Sequence, residues 1–203
     1  QYLGNMGDLH FAPANSEHIL FTKFIGTTQI LLEARYEEKK AAAPIANNVI
    51  TFSANGSLII WLDNTGVLWQ QDLSSDSPAR VFQDSIFTPK KETPYALFVA
   101  GDTVLLKEDT ALFLHERDSQ TRKEILSPVL EVMLSPNGDK AAIRNQSELW
   151  VLFLKAQTEQ PQRQPGELVL LTRFSEQLEQ LFWIDSAYLL FALGDSVRAT
   201  EID

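Results

Sequence analysis

Short apolar runs with period-two alternation recur along the whole chain, and sustained helical periodicity is scarce. Asn-Gly, Gly-Asp, Asp-Ser and Pro-containing turns bound the runs. The pattern predicts strand after strand: 8–12, 18–24, 29–35, 49–53, 58–63, 67–73 and 80–82, then 95–100, 103–107, 111–117, 122–126, 131–135, 140–145, 148–154 and 168–173, and finally 178–184, 188–193 and 197–202. Two stretches break the rhythm. Residues 156–166 are Gln-rich and contain proline, the composition of an exposed hairpin loop. Residues 36–46 include Glu37-Glu38-Lys39-Lys40-Ala41-Ala42-Ala43 and leave two readings, a short helical turn or a charged edge strand.

Internal similarity turns the strand list into an architecture. Ser53-Ala54-Asn55-Gly56 recurs as Ser135-Pro136-Asn137-Gly138, a displacement of 82 residues, or twice 41. An apolar strand precedes each turn (Val49-Ile50-Thr51-Phe52 and Val132-Met133-Leu134), and another follows. A later strand carries Leu68-Trp69 in one copy and Leu149-Trp150 in the other, with Leu112-Phe113 in the copy between. Each unit is therefore strand, turn, strand, short turn, aromatic-bearing strand and a weaker fourth strand. A single four-stranded antiparallel sheet cannot cover its own apolar faces, so such units stack and bury one another. The predicted fold is an all-β β-propeller of about five four-stranded antiparallel blades in one domain, 1–203, with units beginning near 8, 49, 95, 131 and 178. The last unit stops after three strands. Either residues 1–6 supply the missing one and close a five-bladed ring, or the chain is an excised part of a larger propeller. The second is favoured, because Gly4 makes Tyr2-Leu3-Gly4-Asn5-Met6 a poor strand.

Composition narrows the function classes. Hydrophobic residues are 44% and charged residues 22% of 203, enough apolar content for a packed core. The net charge of −10 opposes the positive field a phosphate backbone requires, and the longest basic runs are the pairs Lys39-Lys40 and Lys90-Lys91, so nucleic acid is not an expected partner. No apolar run approaches the ~18 residues of a membrane-spanning helix. No basic segment followed by an apolar one stands at the start, so a leader or anchor is expected to have been removed or to lie outside these residues. The absence of cysteine excludes disulfides and thiolate metal sites.

The stretch Ser135-Pro136-Asn137-Gly138-Asp139-Lys140, followed by Ala141-Ala142-Ile143, resembles the TolB-like and WD-repeat-like propellers, whose blades carry a Ser-Pro-Asp-Gly turn, a basic residue and an apolar strand. The segment from Leu189-Leu190-Phe191 to Glu201-Ile202-Asp203 is similar to closing strands of propellers in bacterial cell-surface proteins, some of which carry PEGA domains. The resemblance implies a propeller and a tendency toward protein or ligand binding, and brings no catalytic residues. The Gly-His and Trp-Asp pairs of typical WD repeats are absent.

The chemistry-bearing residues read mostly as structural. His10, His18 and His115 lack metal-ligand spacing, and no Gly-x-Ser-x-Gly elbow is present, so no metal, cofactor or catalytic residue is assigned. Asp63, Asp102, Asp139 and Asp195 lie near turns, where their carboxylates accept local backbone hydrogen bonds; calcium binding is the competing reading. Asn55-Gly56-Ser57 and Asn145-Gln146-Ser147 match the glycosylation sequon. Among four tryptophans, Trp69 and Trp150 hold equivalent repeat positions and Trp61 lies in an unbroken apolar run, which assigns all three to packing. Trp183 is left as the candidate ligand-binding residue, its ring offered to a sugar.

The functional expectation is a non-catalytic interaction propeller of a bacterial envelope or cell-surface protein, presenting loops to a protein or glycan partner. The runner-up is the propeller portion of a larger prolyl-oligopeptidase-type hydrolase, with its catalytic domain outside this chain. A third reading, a carbohydrate-active enzyme, requires two carboxylates converging within roughly 5 to 10 Å.

Overall fold

A strand sends successive side chains to opposite faces, so Leu58-Ile59-Ile60-Trp61-Leu62, apolar at every position, demands burial on both sides. The computed structural model describes residues 6–11, 18–35, 41–75, 77–84, 87–116 and 121–202, with 6–11 and 18 described by backbone alone. Among these residues there is no helix, and nineteen strands form five sheets.

The first sheet is β1 (Met6–Phe11), β2 (His18–Ile25), β3 (Thr28–Arg35) and β4 (Ala43–Asn47); the second is β5 (Val49–Asn55), β6 (Leu58–Asp63), β7 (Leu68–Asp72) and β8 (Arg80–Gln83). The third holds β9 (Tyr95–Ala100), β10 (Thr103–Glu108), β11 (Ala111–Glu116) and β12 (Arg122–Leu126); the fourth holds β13 (Glu131–Leu134), β14 (Lys140–Arg144), β15 (Glu148–Phe153) and β16 (Leu168–Arg173). The fifth has β17 (Leu178–Trp183), β18 (Tyr188–Leu193) and β19 (Ser196–Glu201). Strands follow chain order across each sheet and pair antiparallel, as successive short hairpins dictate. The first strands of the last four sheets start at Val49, Tyr95, Glu131 and Leu178. Of residues 1–6, offered as a ring-closing strand, 1–5 lie outside the described residues and Met6 opens β1 of the first sheet.

Residues 36–46 resolve in part: β4 is an edge strand, and its Pro44 sits where the β3–β4 register shifts, a place that does not need the missing N–H. Residues 36–40 are not among those described. The insertion at 156–166 is the expected exposed hairpin, tied by reciprocal Gln157 and Arg163 backbone bonds of 3.0 Å.

The chain divides into two compact units, Gln1–Asp109 with His115–Arg122, and Thr110–Leu114 with Lys123–Asp203. In the first, Ile59 and Trp61 of β6 pack with Leu20, Leu31 and Phe52, while Ile60 and Leu62 pack with Leu97, Val99, Val104 and Leu106. Both faces of the second sheet are thus covered, which accounts for the unbroken apolar run. In the second unit, Ala142, Leu149, Val151 and Phe153 meet Leu178, Leu181, Leu189 and Phe191. Each fully buried Leu, Ile or Val among them contributes about 1.5–3 kcal/mol. The opposite face of the fifth sheet carries exposed apolar side chains, Phe182 (52%) and Val197 (75%).

The repeated Ser-x-Asn-Gly turns latch one sheet to the next within each unit. Asn55 Nδ2 donates to the Val99 carbonyl (3.2 Å); Asn137 N donates to Ser186 Oγ (3.2 Å), and Lys140 Nζ to the Ser186 carbonyl (2.9 Å). Their turn geometry differs. Gly56-Ser57 is a two-residue loop with positive φ at glycine alone, the type II′ pattern, shared by Gly26-Thr27, Gly101-Asp102 and Gly194-Asp195. The turn after Ser135 is longer: Pro136 cannot extend a ladder, and Ser135 Oγ accepts from Lys140 N across the loop (3.0 Å).

Gly101 has φ +60° and nothing within 4 Å of where a Cβ would lie. Gly101→Ala is therefore expected to lower stability by about 1–2 kcal/mol through backbone strain alone, with no steric clash, measured as a shift in urea midpoint at unchanged m-value.

Candidate functional site

Of the residues singled out in the sequence, the structure brings together Asp63, Trp61 and Trp69 in the first unit. The side chains of His10 and His18 lie outside the described set. Asp63 is a turn anchor: its Oδ1 accepts from Thr65 N (2.8 Å), Thr65 Oγ1 (2.6 Å) and Val67 N (3.0 Å), and its Oδ2 from Trp69 Nε1 (2.8 Å). Burial works to raise its pKa, but these bonds outweigh it and hold the carboxyl below the ordinary value. Asp139 belongs to the turn after Ser135, accepting from Asn137 Nδ2 and pairing with Lys155 (2.6 Å). Asp102 has a polar partner, and Asp195 is exposed beside Gly194. Among the described residues no three His, Asp or Glu side chains gather as a metal ion would need.

Trp61 is buried and stacks on Trp69, ring centroids 6.4 Å apart at 11°. Trp150 Nε1 donates to Glu148 Oε2 (3.2 Å), the same indole-to-carboxylate arrangement as Trp69 with Asp63. Trp183 is half-buried, packs on the core between the fourth and fifth sheets and donates to the Met133 carbonyl (3.0 Å). Asn145 of the second sequon spends its Oδ1 on Ser147 N (3.0 Å) and Glu148 N (2.8 Å), whereas Asn55 of the first is exposed.

His115 is fully buried on β11, its Nδ1 hydrogen-bonded to Gln83 Oε1 from β8. The amide oxygen only accepts, so Nδ1 carries the proton, and the buried Nε2 has no hydrogen-bond partner among the described residues. Burial, with the Arg122 charge second, pushes the imidazole down to about 4.

The first unit carries a cleft of about 710 Å³. Its walls follow from the topology. In an antiparallel four-stranded sheet the hairpin between the second and third strands and the crossover to the next sheet emerge at the same end. The cleft is lined by Thr27 and Thr28 at the β2–β3 hairpin, Asn48 before β5, Asn64 in the β6–β7 turn and residues 89–94 before β9. Of the three non-glycine residues with positive φ among those described, Asn48 (57°) and Glu92 (62°) both line it. Such backbone costs of order 1 kcal/mol or more and collects at functional sites.

A buried carboxylate holds the loop before β9 in place. Glu108, at the end of β10, accepts from Arg122, from Lys90 Nζ (3.0 Å) and from the Tyr95 hydroxyl (3.4 Å), and that hydroxyl accepts from Lys90 N (2.9 Å). The Arg122 guanidinium lies 4.4 Å from the Phe87 ring centroid, and Phe87 tilts against Tyr95. Burial raises the Glu108 pKa, but the hydrogen bonds and charges of Arg122 and Lys90 prevail and keep the carboxyl ionised below its usual range. Sequence reasoning noticed only Lys90-Lys91. Glu108 closes an apolar strand and Arg122 opens another, and nothing local links them.

No protein-family model and no curated protein matches the chain. Solved structures do. The β-propeller domain of Myceliophteria thermophila Cps50 (Swd1) superposes with a TM-score of 0.61 at 11% identity, covering 98% of this chain and 66% of that one. The chain has the β-propeller fold. Hsv2p of Kluyveromyces lactis (TM-score 0.55, 13% identity, 92% of this chain and 63% of that one) and a functionally unknown protein from Desulfotomaculum acetoxidans (0.58, 9%, 99% and 67%) agree. The propeller thus spans about two thirds of the length of the structures it matches.

The His115 imidazole yields a pH prediction. Its folded pKa lies below its ordinary value of 6.5, so the stabilisation is full above pH 6.5 and is lost as pH falls toward 4. The loss is expected to reach about 3 kcal/mol. Urea unfolding at a series of pH values should show this acid-side slope in the parent protein, with a smaller slope in His115→Asn.

Proposed function

We propose that this chain is a non-catalytic interaction propeller that presents the loops at one end of its sheets to a protein partner. The observation that carries the reading is the cleft of about 710 Å³ in the first unit, where two hairpins and two crossovers supply hydroxyls, amides, an exposed aromatic ring and lysines on a braced loop. Loops on a rigid scaffold are where binding residues collect, and mixed apolar and polar lining suits a peptide surface. A setting in a bacterial envelope or at a cell surface belongs to the same proposal, supported by the TolB-like character of the 135–140 turn. So does the count of about five blades, supported by five sheets among the described residues.

A glycan partner is the second arm of the reading, with Trp183 as the ring that would stack a sugar. The Trp183 contacts to Met133 and the core supply a packing role for the same side chain. The test is parallel screening of the purified protein on a peptide array and a glycan array, with a hydrolase assay on blocked prolyl peptides. The expected outcome is saturable peptide binding without turnover. Glycan binding abolished by Trp183→Ala, turnover of the prolyl substrate, or no binding on either array would overturn the protein-interaction reading.

A further inference from the structure

The lining of the cleft allows its partner to be named by chemistry. The chain carries a formal charge of −10, yet the charged residues lining the cleft are Lys90, Lys91 and Glu92, two cations to one carboxylate. Lys90 is tied through its backbone N–H to Tyr95 and through its ammonium to Glu108, which fixes the course of the loop. Lys91 is exposed and has no hydrogen-bond or ion-pair partner among the described residues. Acidic groups elsewhere on the surface repel a negative ligand only weakly, since the Debye length is about 8 Å at physiological ionic strength. Within that radius Lys90 is already paired with Glu108, so Lys91 is the cation left to meet a negative ligand.

The uncharged lining points to a polypeptide. Gln29, Asn48 and Asn64 each offer a primary amide, a donor and an acceptor that match the two polar groups of a peptide unit. Phe24, 46% exposed, and Pro89 and Pro94 offer separate hydrocarbon surfaces. An extended strand alternates side chains with a period of two, so apolar and acidic side chains in alternation meet the hydrocarbon and the ammonium groups in turn. Asn48 and Glu92 hold their positive-φ backbone where they line the cleft.

We infer that this cleft binds an extended acidic peptide segment, its carboxylate paired by Lys91 and its apolar side chain seated against Phe24. The inference rests on the interaction reading above and specifies the partner that reading leaves open.

Fluorescein-labelled peptides that alternate leucine with glutamate, and their glutamine-for-glutamate and lysine-for-glutamate counterparts, test it by fluorescence anisotropy on the whole chain. The glutamate peptide should bind saturably and lose affinity as salt is raised. Lys91→Glu should weaken it about tenfold, while Lys123→Glu, an exposed change of the same net charge on β12, should leave it unchanged. An unaltered urea midpoint for Lys91→Glu confirms that folding is intact. Equal binding of the glutamate and glutamine peptides, no saturable binding, or equal effects of the two lysine reversals would overturn the inference. Array binding that survives Lys91→Glu would overturn it while leaving the interaction reading in place.

Discussion

Two-sided burial is the constraint on which the structure depends. The second sheet has apolar side chains on both faces of β6, with Ile59 and Trp61 on one and Ile60 and Leu62 on the other, and each face finds a separate partner layer. An isolated sheet of this kind would leave both faces in water, so the sheets fold only as a stack. In the second unit Ala141, Ala142 and Ile143 of β14 are all fully buried, and Ala142 joins the cluster that covers the inner face of the fifth sheet. The fifth sheet covers one face in this way and leaves Phe182 and Val197 exposed on the other.

Polar groups serve that stacking before they serve chemistry. The turn carboxylates tie down backbone amides and indole N–H groups, as Asp63 does for Thr65, Val67 and Trp69. Asn55, Asn137, Lys140 and Arg144 carry hydrogen bonds from one sheet to the next. Glu108, buried at the end of β10, works as a brace, drawing Arg122, Lys90 and Tyr95 together beneath the loop before β9. A stack of sheets supplies the rigid frame; the crossovers and hairpins at its ends supply a surface that the frame does not dictate.

The low identity to the matched structures, 9 to 13%, has the same origin. Burying a sheet needs apolar residues of suitable size at alternating positions, a condition many sequences satisfy. Function resides in side chains on the loops, where likeness at this level carries no information.

Strand positions, the hairpin at 156–166 and the packing of Trp61 and Trp69 were legible in the chain itself, because they depend on period-two patterning and turn residues, which are local in sequence, and on a motif that recurs after 82 residues and can be compared with itself. The turn geometry was only half legible: Asn55-Gly56 marked the hairpin, but the loop pair is Gly56-Ser57, since register is set by ladder hydrogen bonds. His115 against Gln83 and Glu108 against Arg122 were invisible, being 32 and 14 residues apart and joined only once sheets are stacked and paired. The cleft was invisible for the same reason, for it is made of four connections whose nearness comes from antiparallel strand order. Alternation along one strand is a property of the chain; which strand ends meet, and what they enclose, is a property of the packed sheets.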